Sequence, residues 1–291
     1  MKRVVVLIMG LLLLAGCGGV VTEESEATTT ETAIQTTTQP ATAIVPTEDI
    51  HWVASGYHAA LVAGEANPDE RFPLYLELPG DGIQLYGVYG DNYQGGVVLF
   101  HEGREAYFSD WGFAWWDYPV LAYHDFDSDG TKDIGVITLI AHGTFTHLTE
   151  LHIVTIEKTD TGAIVNDAPY YEYKYIDHAF THEDVTAWVD KSLSCKRGKQ
   201  KDTIELTIDG KTFTADLEPG RNWQGNASAS MAVVFEPESN GIRLTVGVVT
   251  AYENSPPYGE YLGEFTADVT FDGRQFHLTN IDYEPHALQE N

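Results

Sequence analysis

The chain has 291 residues, with 44 Asp and Glu against 16 Lys and Arg, a net charge of −28 at pH 7. Such a surplus repels phosphate backbones and anionic lipid headgroups, which excludes nucleic-acid binding and electrostatic docking on a membrane. It favours cations, basic partners or plain solubility, the last as the simplest single cause.

The first residues read as an export signal. Lys2 and Arg3 precede an apolar run from Val4 to Leu14, broken only by Gly10. As a helix that run spans roughly 16 Å at about 1.5 Å per residue, too short for a hydrocarbon core of about 30 Å. It fits the h-region of a signal peptide over residues 1–16. The run ends in Leu14-Ala15-Gly16-Cys17. This resembles the lipobox of bacterial lipoproteins, and the resemblance implies cleavage before Cys17 and a diacylglycerol on its sulfur. Two acyl chains are what stable anchoring requires. The implied location is the extracellular face of a bacterial cell membrane. With Cys17 acylated, Cys195 has no partner within the chain, so a disulfide framework is excluded. No other stretch approaches 18 consecutive apolar residues.

From Cys17 to residue 48 the composition is dominated by Thr, with Glu, Ala, Gln, Pro40 and Pro46 and no aromatic residue. Such a segment buries too little apolar surface to offset its ordering entropy, and it reads as a disordered linker. A flexible chain of about 30 residues reaches on the order of 30 Å, enough to lift a domain off a membrane and into a cell wall.

From Asp49 the chain turns aromatic and alternating, and about 240 residues suit one large β-domain or two small ones. A candidate sub-boundary lies near 160–180. Period-two patterning predicts strands over 74–78, 83–89, 96–101, 106–109, 120–125, 134–141 and 151–157. Further strands follow at 203–209 and 212–217 around Asp209-Gly210, and at 231–236 and 242–252 around Ser239-Asn240-Gly241. The last pair is 261–271 and 275–283 around Asp272-Gly273. A helix over 182–193 is capped by Thr181 with Asp184, and Val185, Trp188, Val189 and Leu193 form its apolar stripe. The predicted class is α+β, predominantly antiparallel β with one amphipathic helix.

An aromatic cluster precedes the most informative segment. Trp111, Trp115, Trp116 and Tyr118 are candidates for stacking on a glycan or wall polymer; the alternative is core packing. Tyr170 to Tyr175 alternates with charges, as an exposed edge or a groove wall would.

Asp125-Phe126-Asp127-Ser128-Asp129-Gly130-Thr131-Lys132-Asp133 places carboxylates at loop positions 1, 3, 5 and 9 and Gly at position 6. Ca2+ takes six to eight hard oxygens. Asp125, Asp127, Asp129 and Asp133, with the carbonyl of Thr131, are the predicted ligands. Without a cation, carboxylates this close repel one another. Position 12 is Val136 and both flanks read as strands, so the loop is not an EF-hand. Strand, Asp-rich loop, strand resembles the calcium loops of FG-GAP and VCBS-type repeats over Val120–Leu139. One copy is present here, where propellers of that family use several. More loosely, the region from Asp125 to the C-terminus resembles a group of lipoproteins of Gram-positive anaerobes, a likeness that bears on fold and brings no activity.

The remaining candidates are weaker. His142, His147 and His152 stand five apart and His178 and His182 four apart, spacings that match no linear zinc motif. Cys195 lies beside Lys196 and Arg197, which would activate a thiol; the other reading is a partly buried strand residue. No Gly-x-Ser-x-Gly elbow, His-Glu-x-x-His helix or phosphate loop occurs. The sequence therefore predicts a lipid-anchored, non-enzymatic module with a structural Ca2+, binding a glycan, cell-wall or protein ligand. The alternative is a cell-surface hydrolase acting on glycan or wall material, since its carboxylate pair needs no linear motif.

Overall fold

A computed structural model describes residues 49–54, 74–88, 96–112, 119–165, 168–255 and 259–286. The signal peptide, Cys17, the linker to residue 48, and Trp115, Trp116 and Tyr118 lie outside the described residues.

Alternating patterns become strands wherever one face can be buried. β1 (Val53–Ala54), β2 (Leu74–Leu78), β3 (Ile83–Gly87), β4 (Val97–His101) and β5 (Arg104–Phe108) open the fold. β6 (Val120–His124), β7 (Asp133–Gly143), β8 (Thr146–Val165) and β9 (Ala168–Phe180) follow, then helix α1 (His182–Ser192). β10 (Ser194–Arg197), β11 (Thr203–Ile208), β12 (Lys211–Asp216), β13 (Trp223–Glu238), β14 (Gly241–Tyr252), β15 (Glu260–Phe271) and β16 (Phe276–Pro285) complete it. The protein is mainly β with one helix among the described residues. That is broadly compatible with the α+β expectation, with the weight on β.

A nine-stranded sheet runs β1-β6-β7-β8-β13-β14-β15-β16, with β9 also paired to β8. Its pairings are antiparallel except at the centre, where β8 meets β13 in parallel through His147↔Ala232 and Leu148↔Val233. Two smaller sheets, β2 to β5 and β10 to β12, are antiparallel meanders. Successive side chains of β7 and β8 point to opposite faces of the large sheet. Ile134, Val136 and Val154 join Leu85, Leu99 and Leu121 in one apolar cluster under the β2–β5 meander. Ile137, Leu151 and Ile153 join Val185, Val189, Ile204 and Phe235 in the other, under α1 and the β10–β12 sheet.

Local signals act as expected at the turns and the cap. Asp209 and Gly210 both take positive φ, +48° and +75°, in a two-residue hairpin. The Thr181 hydroxyl accepts from the Asp184 amide, and Asp184 accepts from the Thr181 amide, closing the capping box. Val185, Trp188 and Val189 are buried on the helix's inner face. The stretch 160–180 is occupied by the hairpin of β8 and β9. Its outer half is an exposed two-stranded ribbon carrying Ile164, Val165 and Tyr170 on its surface. No helix among the described residues is long and apolar enough to cross a membrane.

Candidate functional site

The Asp-rich loop connects β6 to β7, and two close approaches set its position. Phe126 turns inward: a Cβ on Gly135 of β7 would stand 2.5 Å from its Cζ, with Trp52 on the other side. Gly273, in the β15–β16 turn at φ +86°, lies against the loop, and a Cβ there would stand 2.7 Å from Asp127 Oδ2. Inside the loop, Gly130 takes φ +91°, the reversal its position requires.

Asp125, Asp127 and Asp133 each offer a carboxylate oxygen, and these oxygens lie within 4.8 Å of one another. Backbone amides point at the same carboxylates. Asp125 accepts from the amides of Asp129 and Gly130, both at 3.0 Å, and Asp133 Oδ2 accepts from Phe126 N at 3.2 Å. Asp129 is not among the three convergent groups; its Oδ1 accepts from the Thr131 amide at 2.6 Å.

The electrostatics follow from burial and proximity. Asp133 is 3 % exposed. Burial first, and then the neighbouring Asp127 carboxylate, push its pKa up to about 7. Burial likewise raises Asp127, with the charges of Asp129 and Asp125 adding to the effect. Asp125, Asp127 and Asp133 are thus the residues here that could hold a hard divalent cation.

The aromatic expectation needs a correction at Trp111. It is 3 % exposed, not a surface platform. Its indole stacks between Phe108 (4.6 Å) and His152 (4.2 Å), and its Nε1–H donates to Asp177 Oδ2 at 2.6 Å. An indole whose N–H meets a carboxylate inside the fold gains more from burial than from exposure. Cys195 is half-buried in β10; burial pushes its thiol up, and Lys196 is spent on an ion pair with Glu205 at 2.8 Å. Both observations fit the reading of Cys195 as a partly buried strand residue.

Apolar surface is displayed elsewhere. A groove of about 960 Å³ lies between the β7–β8 turn and the middle of β13 to β15. Phe145, Met231 and Tyr261 line it and are 64, 54 and 37 % exposed. Ser228, Ser230 and the His142–His147 pair, its rings 5.3 Å apart, supply polar edges. The sequence pattern hid this groove because its walls come from segments far apart in the chain. Glu260 is the one carboxylate among its described lining residues, and Arg221 holds it in an ion pair.

No protein-family model, curated protein or solved structure matches the chain.

Proposed function

We propose that the chain is a lipoprotein tethered through a diacyl group on Cys17 to the outer face of a bacterial cell membrane, and that its β-rich part is a calcium-stapled binding module rather than an enzyme. The observation that carries this reading is the convergence of Asp125, Asp127 and Asp133 within 4.8 Å. Their mutual repulsion is relieved by a divalent ion bridging the loop. The loop sits where a staple acts, between β6 and β7 and against the β15–β16 turn. A glycan, cell-wall or protein ligand is taken in the Phe145–Met231–Tyr261 groove. Aromatic and thioether surface edged by hydroxyls suits a sugar face or an extended peptide.

The described lining of the groove supports this reading over a surface hydrolase. Glycoside hydrolysis uses two carboxyl groups flanking the scissile bond, and among the described lining residues Glu260 is the one carboxylate, ion-paired with Arg221.

The test has three parts. Calorimetry of the chelator-treated chain gives one calcium, absent in Asp127→Ala. Saturating calcium raises the melting temperature, a hundredfold excess over Kd stabilising the native state by about 2.7 kcal/mol. Insoluble wall material retains the wild type without release of soluble sugar, and Tyr261→Ala weakens retention. A chain that takes up no calcium, with Asp127→Ala melting like wild type in calcium, ends the staple reading. Sugar release by the wild type ends the non-enzymatic one.

A further inference from the structure

The buried polar group hardest to account for is a single histidine nitrogen. His152 of β8 is 3 % exposed. Its Nδ1 lies 3.1 Å from Asp177 Oδ2 and 3.2 Å from Oδ1. An ionised carboxylate only accepts, so Nδ1 carries a hydrogen, and a neutral ring then presents its lone pair at Nε2. That Nε2 is buried and has no hydrogen-bond partner. An unsatisfied buried acceptor is unfavourable and calls for a cause.

A cluster of metal-ligating groups, Glu150, His182 and Glu183, reaches this nitrogen through Glu150. Glu150 precedes His152 by two residues, so both side chains leave β8 on the same face. Glu150 Oε2 is 4.0 Å from His152 Nε2, and Glu150 Oε1 is 2.9 Å from Nδ1 of His182. His182 opens α1, and Glu183, the next residue, brings Oε2 to 3.0 Å from the same nitrogen. The ligand atoms of Glu150, His182 and Glu183 all lie within 4.8 Å of one another. The Thr181–Asp184 capping box fixes the helix start that carries two of them. An ion pair of His182 with its two carboxylates explains that imidazole alone and leaves His152 Nε2 orphaned. A cation with imidazole and carboxylate ligands accounts for both.

We propose that His152 Nε2, His182 Nδ1, Glu150 and Glu183 form a binding site for one Zn2+, distinct from the Asp-rich loop, that ties the start of α1 to β8. Two imidazoles and two carboxylates are a four-ligand nitrogen–oxygen set of the kind zinc accepts, whereas calcium takes oxygen. The Asp177–His152 contact is the outer carboxylate that fixes the tautomer of a metal-bound histidine. Two glutamates neutralise the ion's charge. The ion takes the place of the His182 Nδ1 hydrogen, which moves to Nε2 or leaves to solvent. Linear spacing concealed the site because its halves come from a strand and a helix start that meet only in the fold.

The full chain in detergent, stripped by chelator and then saturated with calcium, is titrated with ZnCl2 by calorimetry. One zinc binds, and Co2+ in its place gives visible bands of a four-coordinate site. His182→Gln weakens zinc binding at least tenfold and leaves calcium binding unchanged, while Asp127→Ala does the converse. Glu183 is 71 % exposed in its side chain, so Glu183→Ala folds and serves if His182→Gln does not. Equal zinc affinity in wild type, His182→Gln and Glu183→Ala overturns the proposal, as does no zinc uptake at all. Loss of zinc in His147→Gln with retention in His182→Gln moves the ion to the surface pair at the β7–β8 turn and overturns it equally.

Discussion

The ring of Phe126 occupies the place a side chain at position 135 would need: a Cβ on Gly135 would stand 2.5 Å from Phe126 Cζ. The acidic loop is thus anchored by an apolar plug beneath it, between Trp52 and β7. Gly135→Ala forces the plug outward. Overpacking of this kind costs about 1–3 kcal/mol, and under the proposed calcium staple the displaced loop would also hold the ion more weakly. Denaturant unfolding with and without calcium reads both effects; an unchanged midpoint in chelator argues against the plug.

Stability of the metal-free chain depends on pH through Asp133. An unfolded aspartate titrates near ~3.9, and in the fold Asp133 is pushed up to about 7. Between those values the native state keeps a proton that the unfolded state has lost. In chelator, native stability therefore falls as pH climbs from about 4 to about 7 and levels off above that. If the loop holds calcium as proposed, the ion needs the carboxylate, so its stabilising effect runs the other way and grows toward about pH 8. Melting curves at about pH 5.5 and 8, with and without calcium, compared between wild type and Asp133→Asn, isolate this group. The variant shows neither dependence.

Thr181→Ala removes one half of the capping box and lowers stability by about 1 kcal/mol. Because His182 and Glu183 follow the cap directly, the same change weakens zinc binding if those residues hold the ion. Serine at 181 restores both properties, which thermal melts and zinc calorimetry read separately.

Phe180 is fully buried where β9 runs into α1, with its ring 5.3 Å from Phe235 and stacked at 5.0 Å on Phe276. Phe180→Ala leaves a cavity that costs about 3–5 kcal/mol. At roughly 2–4 °C per kcal/mol for a chain of this size, a drop on the order of 10 °C is expected in a scan.

Much of the architecture was legible because its signals are local. The alternation of Ile204, Leu206 and Ile208, the Asp209-Gly210 turn and the Thr181–Asp184 box each act within a few residues, and each appears as expected. β9 was legible only as the alternation of Tyr171, Tyr173 and Tyr175 with Glu172 and Lys174, because half-buried tyrosines facing exposed charges do not distinguish a paired strand from a free edge. The parallel seam of β8 and β13 escaped because pairing across more than 80 residues leaves no trace in spacing. Three of the four loop aspartates converge as their positions suggested, while Asp129 bonds within the loop. At Trp111 the core-packing reading fits and the stacking one does not, a choice the sequence left open because an indole beside acidic residues looks the same whether it faces solvent or a buried carboxylate.

That parallel seam has a consequence for how the chain reaches its final shape. Strands β6 to β9 can pair with one another as soon as they are made, and so can β13 to β16. The halves join centrally only when Ala232 and Val233 arrive beside His147 and Leu148 and the Thr149 hydroxyl bonds Phe235 N and Val233 O. A chain completed from its N-terminus keeps that rim of β8 bare for the whole interval. Closing a contact so distant is slow, because the entropy of the intervening loop is lost before the contact repays it. The bare rim is then the place where a half-made molecule is most prone to pair with a neighbour.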